Sequence, residues 1–220
     1  MDIYQSKRLV YIPYDKSARL NEVSRGDSLY ELMKEPGYLN FDASGPPGII
    51  RSQIEVEMGA LASRRLMFMY VCLPGSPGYG PTMIGLVSLS KPDERQVRHG
   101  NSYLSLLIKS EHQRQGYGKE AVAWALDWAF DFARLHRVEL SCYSWNTGAM
   151  RLYSRIGFRE EGVKREAIWF MGGWHDNHEM AILEHEWRGQ GRRLAGAETW
   201  APVEGRSYSS EEIAQKMGSA

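Results

Sequence analysis

The segment Gln113-Arg114-Gln115-Gly116-Tyr117-Gly118 restricts the fold of this chain more than any other. It lies between an apolar, strand-like run from Tyr103 to Ile108 and a long amphipathic run from Lys119 to about His136. Two glycines separated by one residue let the backbone turn sharply and bring several amides together where a helix begins. Those amides have no acceptor inside the helix, and the helix dipole makes that end favourable for an anion such as a phosphate.

The rest of the pattern reads as a mixed sheet. Arg8 to Ile12 is a short β-branched and aromatic run ended by Pro13. Helices are expected around Ser17 to Ser24 and Ser28 to Lys34, before the loop signals Pro36-Gly37 and Gly45-Pro-Pro-Gly48. Ile50, Ile54, Met58 and Leu61 share one helical face within Ile49 to Ala62. Leu66 to Cys72 and Met83 to Leu89 are apolar throughout and read as buried strands joined by the glycine- and proline-rich loop Leu73 to Pro81. Ser102 to Ile108 is the neighbouring strand. From Lys119, Val122, Ala125, Ala129 and Phe132 form a core-facing stripe. Arg137 to Ser144 is a strand, and Thr147 to Ile156 is a helix stopped by Gly157. Arg159 to Phe170 and Trp174 to Trp187 form a closing hairpin turned at Gly172-Gly173. The expected class is α/β (mixed α+β), with a central, mostly antiparallel sheet of six to seven strands flanked by helices. One domain would occupy 1–188, followed by a polar extension over 189–220, helical only around Ser209 to Met217.

Charge narrows the partners. Basic and acidic residues balance at 27 each, so nothing in the total favours nucleic acid or an anionic membrane. The first residues lack an apolar signal core, and no run approaches the roughly 18 apolar residues of a membrane span, so a cytoplasmic location is expected. Cys72 and Cys142 each sit in an apolar run and read as buried, reduced thiols; two such cysteines supply no metal site.

A second segment, Asn146-Thr-Gly-Ala149-Met-Arg-Leu-Tyr153-Ser-Arg-Ile-Gly157-Phe158, follows the glycine turn after one helix and one strand. The turn resembles the pyrophosphate loop of the GNAT superfamily of acyl-CoA-dependent N-acyltransferases, and the second segment resembles its N-x-x-A-x-x-L-Y-x-x-x-G-F motif. Arg165-Glu-Ala-Ile and Gly172-Gly-Trp-His-Asp176 resemble the subgroup that acts on ribosomal-protein N-termini and polyamines.

The resemblance implies a GNAT-type sheet splayed near the cofactor, acetyl-CoA as co-substrate and no metal. It assigns the diphosphate to Gln113, Arg114, Gln115, Gly116, Tyr117, Gly118 and Lys119. Pantetheine would meet the main chain at Leu107 and Ile108 and the side chain of Asn146. Tyr153 would be the general acid, since a phenol with a pKa of about 10 stays protonated at neutral pH and can supply a thiolate with a reference pKa of about 8.5. The acceptor would be a small-molecule or peptide amine, and a homodimer is one assembly the family allows. Many relatives carry a glutamate in the strand before the loop, but Asn101 to Ile108 holds no carboxylate. The base is therefore unassigned among Glu139, His112, His175, Asp176, Glu179 and solvent water. Tyr103 would line the acceptor pocket, and Trp145, Trp169 and Trp174 either wall the active-site edge or fill the seam under the last hairpin.

Two other readings compete. Gly116-x-Gly118-x-x-Ala121 fits a loose dinucleotide fingerprint, but the loop after Ile108 is too long and too few strand-helix units follow. A module that binds acyl-CoA as a sensor, without catalysis, is the rival from a different functional class.

Overall fold

Two strands, β4 (Arg65–Leu73) and β5 (Thr82–Ser90), are apolar along nearly their whole length and buried on both faces, which places them in the middle of a sheet. The computed structural model describes residues 4–14, 19–20, 23–24, 32, 62–75, 80–92 and 97–190. Before β4 come β1 (Val10–Pro13), β2 (Arg19–Leu20) and β3 (Val23–Ser24). After β5 come β6 (Asn101–Ile108), β7 (Arg137–Tyr143), β8 (Arg159–Phe170) and β9 (Gly173–Leu183). The described helices are α1 (Tyr117–Asp127), α2 (Thr147–Ile156) and α3 (Glu184–Gly189).

Seven strands form one sheet in the order β1-β4-β5-β6-β7-β9-β8, and every neighbouring pair is antiparallel except β6 with β7. That parallel pair requires a crossover, which α1 supplies. On one face Ile84, Val87, Leu104, Val138 and Leu140 pack against Val122, Ala125 and Leu126 of α1 and Ile156 of α2. On the other, Phe68, Tyr70, Cys72, Leu86 and Leu107 gather with Leu32. The expected mixed class and mostly antiparallel seven-stranded sheet are both present. No helix among the described residues is long and apolar enough to cross a membrane.

Some boundaries fall elsewhere than the sequence pattern predicts. Ser6 donates its amide to the Leu9 carbonyl at 2.9 Å, a local turn that delays β1 until Val10. Within the helix expected over Ser17 to Ser24, Arg19 and Leu20 pair instead with Ser24 and Val23 as a small antiparallel ribbon. The helices expected over Ser28 to Lys34 and Ile49 to Ala62 lie outside the described residues, apart from Leu32 and Ala62. So does the helix expected over Ser209 to Met217.

The helix expected to run to His136 is α-helical only to Asp127 and then widens into a π-helical turn, Trp128–Phe132, in which Ala133 donates to Trp128 at 3.1 Å. The last hairpin turns at Met171-Gly172, one residue early, because Phe170 pairs with Gly173 and both turn residues hold positive φ, 47° and 84°. β9 stops at Leu183 rather than Trp187. Glu186 accepts the Leu183 amide at 3.0 Å and starts α3, whose buried Trp187 donates to Asp127 at 2.8 Å.

Gly85 on β5 is where the sheet can least accept a side chain. A Cβ there would lie 2.2 Å from the Leu107 carbonyl oxygen of the neighbouring β6. Gly85→Ala should therefore pry β5 from β6 and destabilise the fold by about 1–3 kcal/mol, as overpacking does. A urea midpoint lowered relative to wild type checks this, and an unchanged midpoint refutes it.

Candidate active site

The glycine turn is built as a helix start. Gly116 is the N-cap of α1 in a left-handed conformation, φ 85°, and Arg114 is also left-handed at φ 59°. The first backbone bond of the helix runs from the Glu120 amide to the Gly116 carbonyl at 3.2 Å. The amides of Tyr117, Gly118 and Lys119 thus precede the helical ladder. Among the described residues nothing accepts from the amides of Arg114, Gln115 or Gly116 either, and all three residues are exposed. Gln113 differs from expectation. Its amide donates to Ser110 at 3.2 Å and its side chain to the Ile108 carbonyl at 2.9 Å, so it shapes the turn while the open run of amides begins at Arg114.

The strand before the turn parts from its neighbour. β6 and β7 pair only at Asn101–Arg137, Ser102–Val138 and Tyr103–Glu139, after which β7 follows β9 alone. The gap is a cleft lined by Tyr103, Leu104, Ser105, Leu106, Ser141, Tyr143 and Tyr153. Leu107 and Ile108 pair with β5 on their other side and turn their side chains into the two cores. The Ile108 carbonyl is occupied by Gln113, leaving Leu104 to Leu107 as the strand edge without a described strand partner.

Tyr153 projects from α2 and is buried. Burial, then the neighbouring Cys142 and Tyr103, raise its phenol well above the ordinary tyrosine value, so it stays protonated. Burial likewise pushes the Cys142 thiol up to about 12, which removes it as a nucleophile near neutral pH. Across the cleft the Tyr103 hydroxyl bonds Ser141. Asn146 caps α2, its Oδ1 accepting from the Ala149 amide at 3.2 Å.

The candidate bases separate. Glu139 accepts from Arg137 at 2.7 Å, and Arg137 also binds Glu161. Glu179, paired in register with Ser141, is bonded to Lys164, and its charge helps raise the Tyr103 pKa after burial and Tyr143. His112 lies edge-on to Tyr117 beside the turn, His175 packs against Trp145 and Phe170, and Asp176 accepts from the Glu166 amide at 2.8 Å.

The three tryptophans divide as well. Trp145 stacks between Tyr143 and Phe170 at the cleft edge, whereas Trp169 and Trp174 pair with each other, more than half exposed. Among the described residues no group of three or more His, Cys, Asp or Glu converges on one point.

Sequence reasoning passed over Ser6, Arg8 and Glu120. Arg8 Nε meets Glu120 at 2.8 Å, its Nη1 donates to the Gln115 carbonyl at 3.0 Å, and its guanidinium lies 4.5 Å over the Tyr117 ring. The only signal was an acid in the first turn of a helix, a common dipole complement.

Residues 55–158 match the Acetyltransferase (GNAT) family. Over 105 residues the chain is 32% identical to a spermidine N(1)-acetyltransferase of Vibrio cholerae, covering 48% of this chain and 59% of that protein. Over 101 residues it is 32% identical to a Bacillus subtilis protein named Probable N-acetyltransferase YjcK, covering 46% and 55%. The chain thus spans under two thirds of the length of these curated relatives. The crystal structure of a Vibrio cholerae spermidine N-acetyltransferase with CoA and spermine superposes with a TM-score of 0.68 at 21% identity, covering 83% of this chain and 99% of that one. The sheet order, the glycine turn and the parted strands all agree with that match to the Acetyltransferase (GNAT) family, which covers residues 55–158, just under half of the chain.

Proposed function

We propose that the domain moves an acetyl group from acetyl-CoA to a primary amine by direct attack in a ternary complex. The observation that carries this reading is the run of open amides from Arg114 to Lys119 set at the end of a strand that has parted from its neighbour. Amides converging at a helix start suit a diphosphate, with the exposed Arg114 and Lys119 side chains adding charge. The free edge from Leu104 to Leu107 suits an extended amide-bearing chain such as pantetheine, and the family motif offers the Asn146 side chain as a further partner for it. The thioester would then lie in the cleft beside Tyr153.

In the transfer, the amine nitrogen bonds to the thioester carbonyl carbon, the carbon–sulfur bond breaks, and the Tyr153 hydroxyl gives its proton to the departing thiolate. The amine's surplus proton leaves to water or to one of the unassigned candidate bases, and a proton from solvent restores Tyr153. Spermidine acetyltransferases among the relatives favour a polyamine acceptor, and a protein N-terminus fits the same chemistry. Thiol release from acetyl-CoA across a panel of polyamines and peptides, with intact-mass detection, tests the activity. Tight CoA binding with no turnover on any acceptor would instead mark a cofactor sensor.

Two further outcomes are expected. Tyr153→Phe should lower kcat by about 10²-fold and leave CoA affinity nearly unchanged. Because burial raises this phenol, wild-type kcat should show no decline from loss of the acid between about pH 8 and 10; unchanged turnover in the variant returns Tyr153 to the core. Gly116→Val places a β-branched residue at φ 85°, at a strain of about 1–3 kcal/mol, and should weaken CoA binding at least about tenfold by calorimetry.

A further inference from the structure

Arg8 and Glu120 are 112 residues apart, yet they meet at the base of the amide turn. Glu120 lies in the first turn of α1 and gathers the chain's N-terminal segment. Its Oε1 accepts from the Arg8 amide at 2.6 Å and the Ser6 hydroxyl at 2.8 Å, while its Oε2 takes the Arg8 guanidinium at 2.8 Å. Burial acts to raise the Glu120 pKa, but the Arg8 amide, the Ser6 hydroxyl and the Arg8 side chain together bring it below the usual carboxylate value. One turn further along the same helix, Trp124 stacks on Tyr11 with ring centroids 3.7 Å apart, so the segment is fixed at two points. This framework holds the guanidinium still, and the guanidinium holds the turn.

The consequence follows from peptide planarity. Arg8 Nη1 donates to the Gln115 carbonyl at 3.0 Å. In a trans peptide the carbonyl and the following amide lie in one plane and point in opposite directions, so tying back the Gln115 carbonyl drives the Gly116 amide outward. The next peptide is fixed in the same way, because the Gly116 carbonyl accepts from the Glu120 amide and leaves the Tyr117 amide facing away from the helix. Tyr117 itself is covered by the Arg8 guanidinium at 4.5 Å. Arg8 sits behind the turn: its Nη2 is 3.3 Å from the position a Cβ on Gly116 would take.

We propose that Arg8, oriented by Glu120, is a positioning residue for cofactor binding: it presets the Gly116 and Tyr117 amides for the diphosphate of CoA. The proposal rests on the reading of this turn as the diphosphate site. It adds that affinity for the cofactor depends on a side chain from the N-terminal segment, outside the stretch matched to the family. Without the clasp the turn has to be ordered by the ligand, so cofactor binding weakens while chemistry in the filled cleft proceeds as before.

Calorimetry with CoA and steady-state kinetics on full-length Arg8→Ala, Arg8→Lys, Glu120→Gln and the Arg8→Ala/Glu120→Gln double variant test it. Arg8→Ala should raise the CoA Kd and the acetyl-CoA KM by about tenfold. Its kcat at saturating acetyl-CoA and its acceptor KM should stay within about twofold of wild type, a split that general loss of structure does not produce. Arg8→Lys should recover little, since an ammonium cannot span Glu120 and the Gln115 carbonyl as a guanidinium fork does. The double variant should bind CoA no more weakly than Arg8→Ala alone, because both changes release one clasp. Wild-type affinity in Arg8→Ala, additive losses in the double variant, or a parallel fall in kcat would each overturn the proposal alone. A wild-type chain that fails to bind CoA would overturn the diphosphate reading itself, and the clasp with it.

Discussion

Beyond Tyr103, β6 and β7 no longer hydrogen-bond, and the edge of β6 from Leu104 to Leu107 is left without a described strand partner. A backbone amide or carbonyl removed from water and left unpaired costs about as much as a lost hydrogen bond, so a gap of this kind persists only where water or a ligand can enter. β7 does not suffer by leaving. It pairs along its whole length with β9, from Arg137 opposite Leu183 to Tyr143 opposite Asn177. The unmet polar groups are thereby concentrated on one strand edge, and that edge leads into a helix start with open amides of its own. Together they make one continuous strip suited to a long ligand with an amide-bearing arm and an anionic end.

The surroundings of the strip are stiff where it matters. Gly85 lets β5 approach β6 closely on the opposite edge, which fixes the free edge in place. Behind the turn, α1 is locked to the segment before β1 through Glu120 and to β1 itself through the stacked Tyr11 and Trp124. On the far side, Arg137 binds both Glu139 and Glu161 and so ties β7 to β8 at the end where β6 and β7 still pair. Tyr153 and Cys142 are neighbours where α2 packs on β7, and burial holds both the phenol and the thiol in their protonated forms.

Much of this was legible from local pattern. The apolar runs of β4 and β5, the glycine turn and the stripe on α1 each need only a few adjacent residues to declare themselves. Asn146 and Gly157 mark both ends of α2 for the same reason, since an Asn side chain and a left-handed glycine act within one helical turn. Errors clustered where two local preferences compete. The last hairpin turns at Met171-Gly172 rather than at the adjacent Gly172-Gly173 because register across the hairpin, set by Phe170 opposite Gly173, outweighs glycine content. The strand expected to run to Trp187 ends at Leu183, because Glu186 accepts the Leu183 amide and a helix starts there.

The sequence alone determined the elements, their order and the chemical type of the turn, because backbone preference and hydrophobic period are properties of neighbouring residues. Tertiary structure alone decided where β6 and β7 separate, that Gln113 faces the strand instead of the open amides, and that Arg8 reaches Glu120. Each of these depends on which distant groups end up within hydrogen-bond reach, and a bond of about 3 Å between residues far apart in the chain leaves no periodic trace in it.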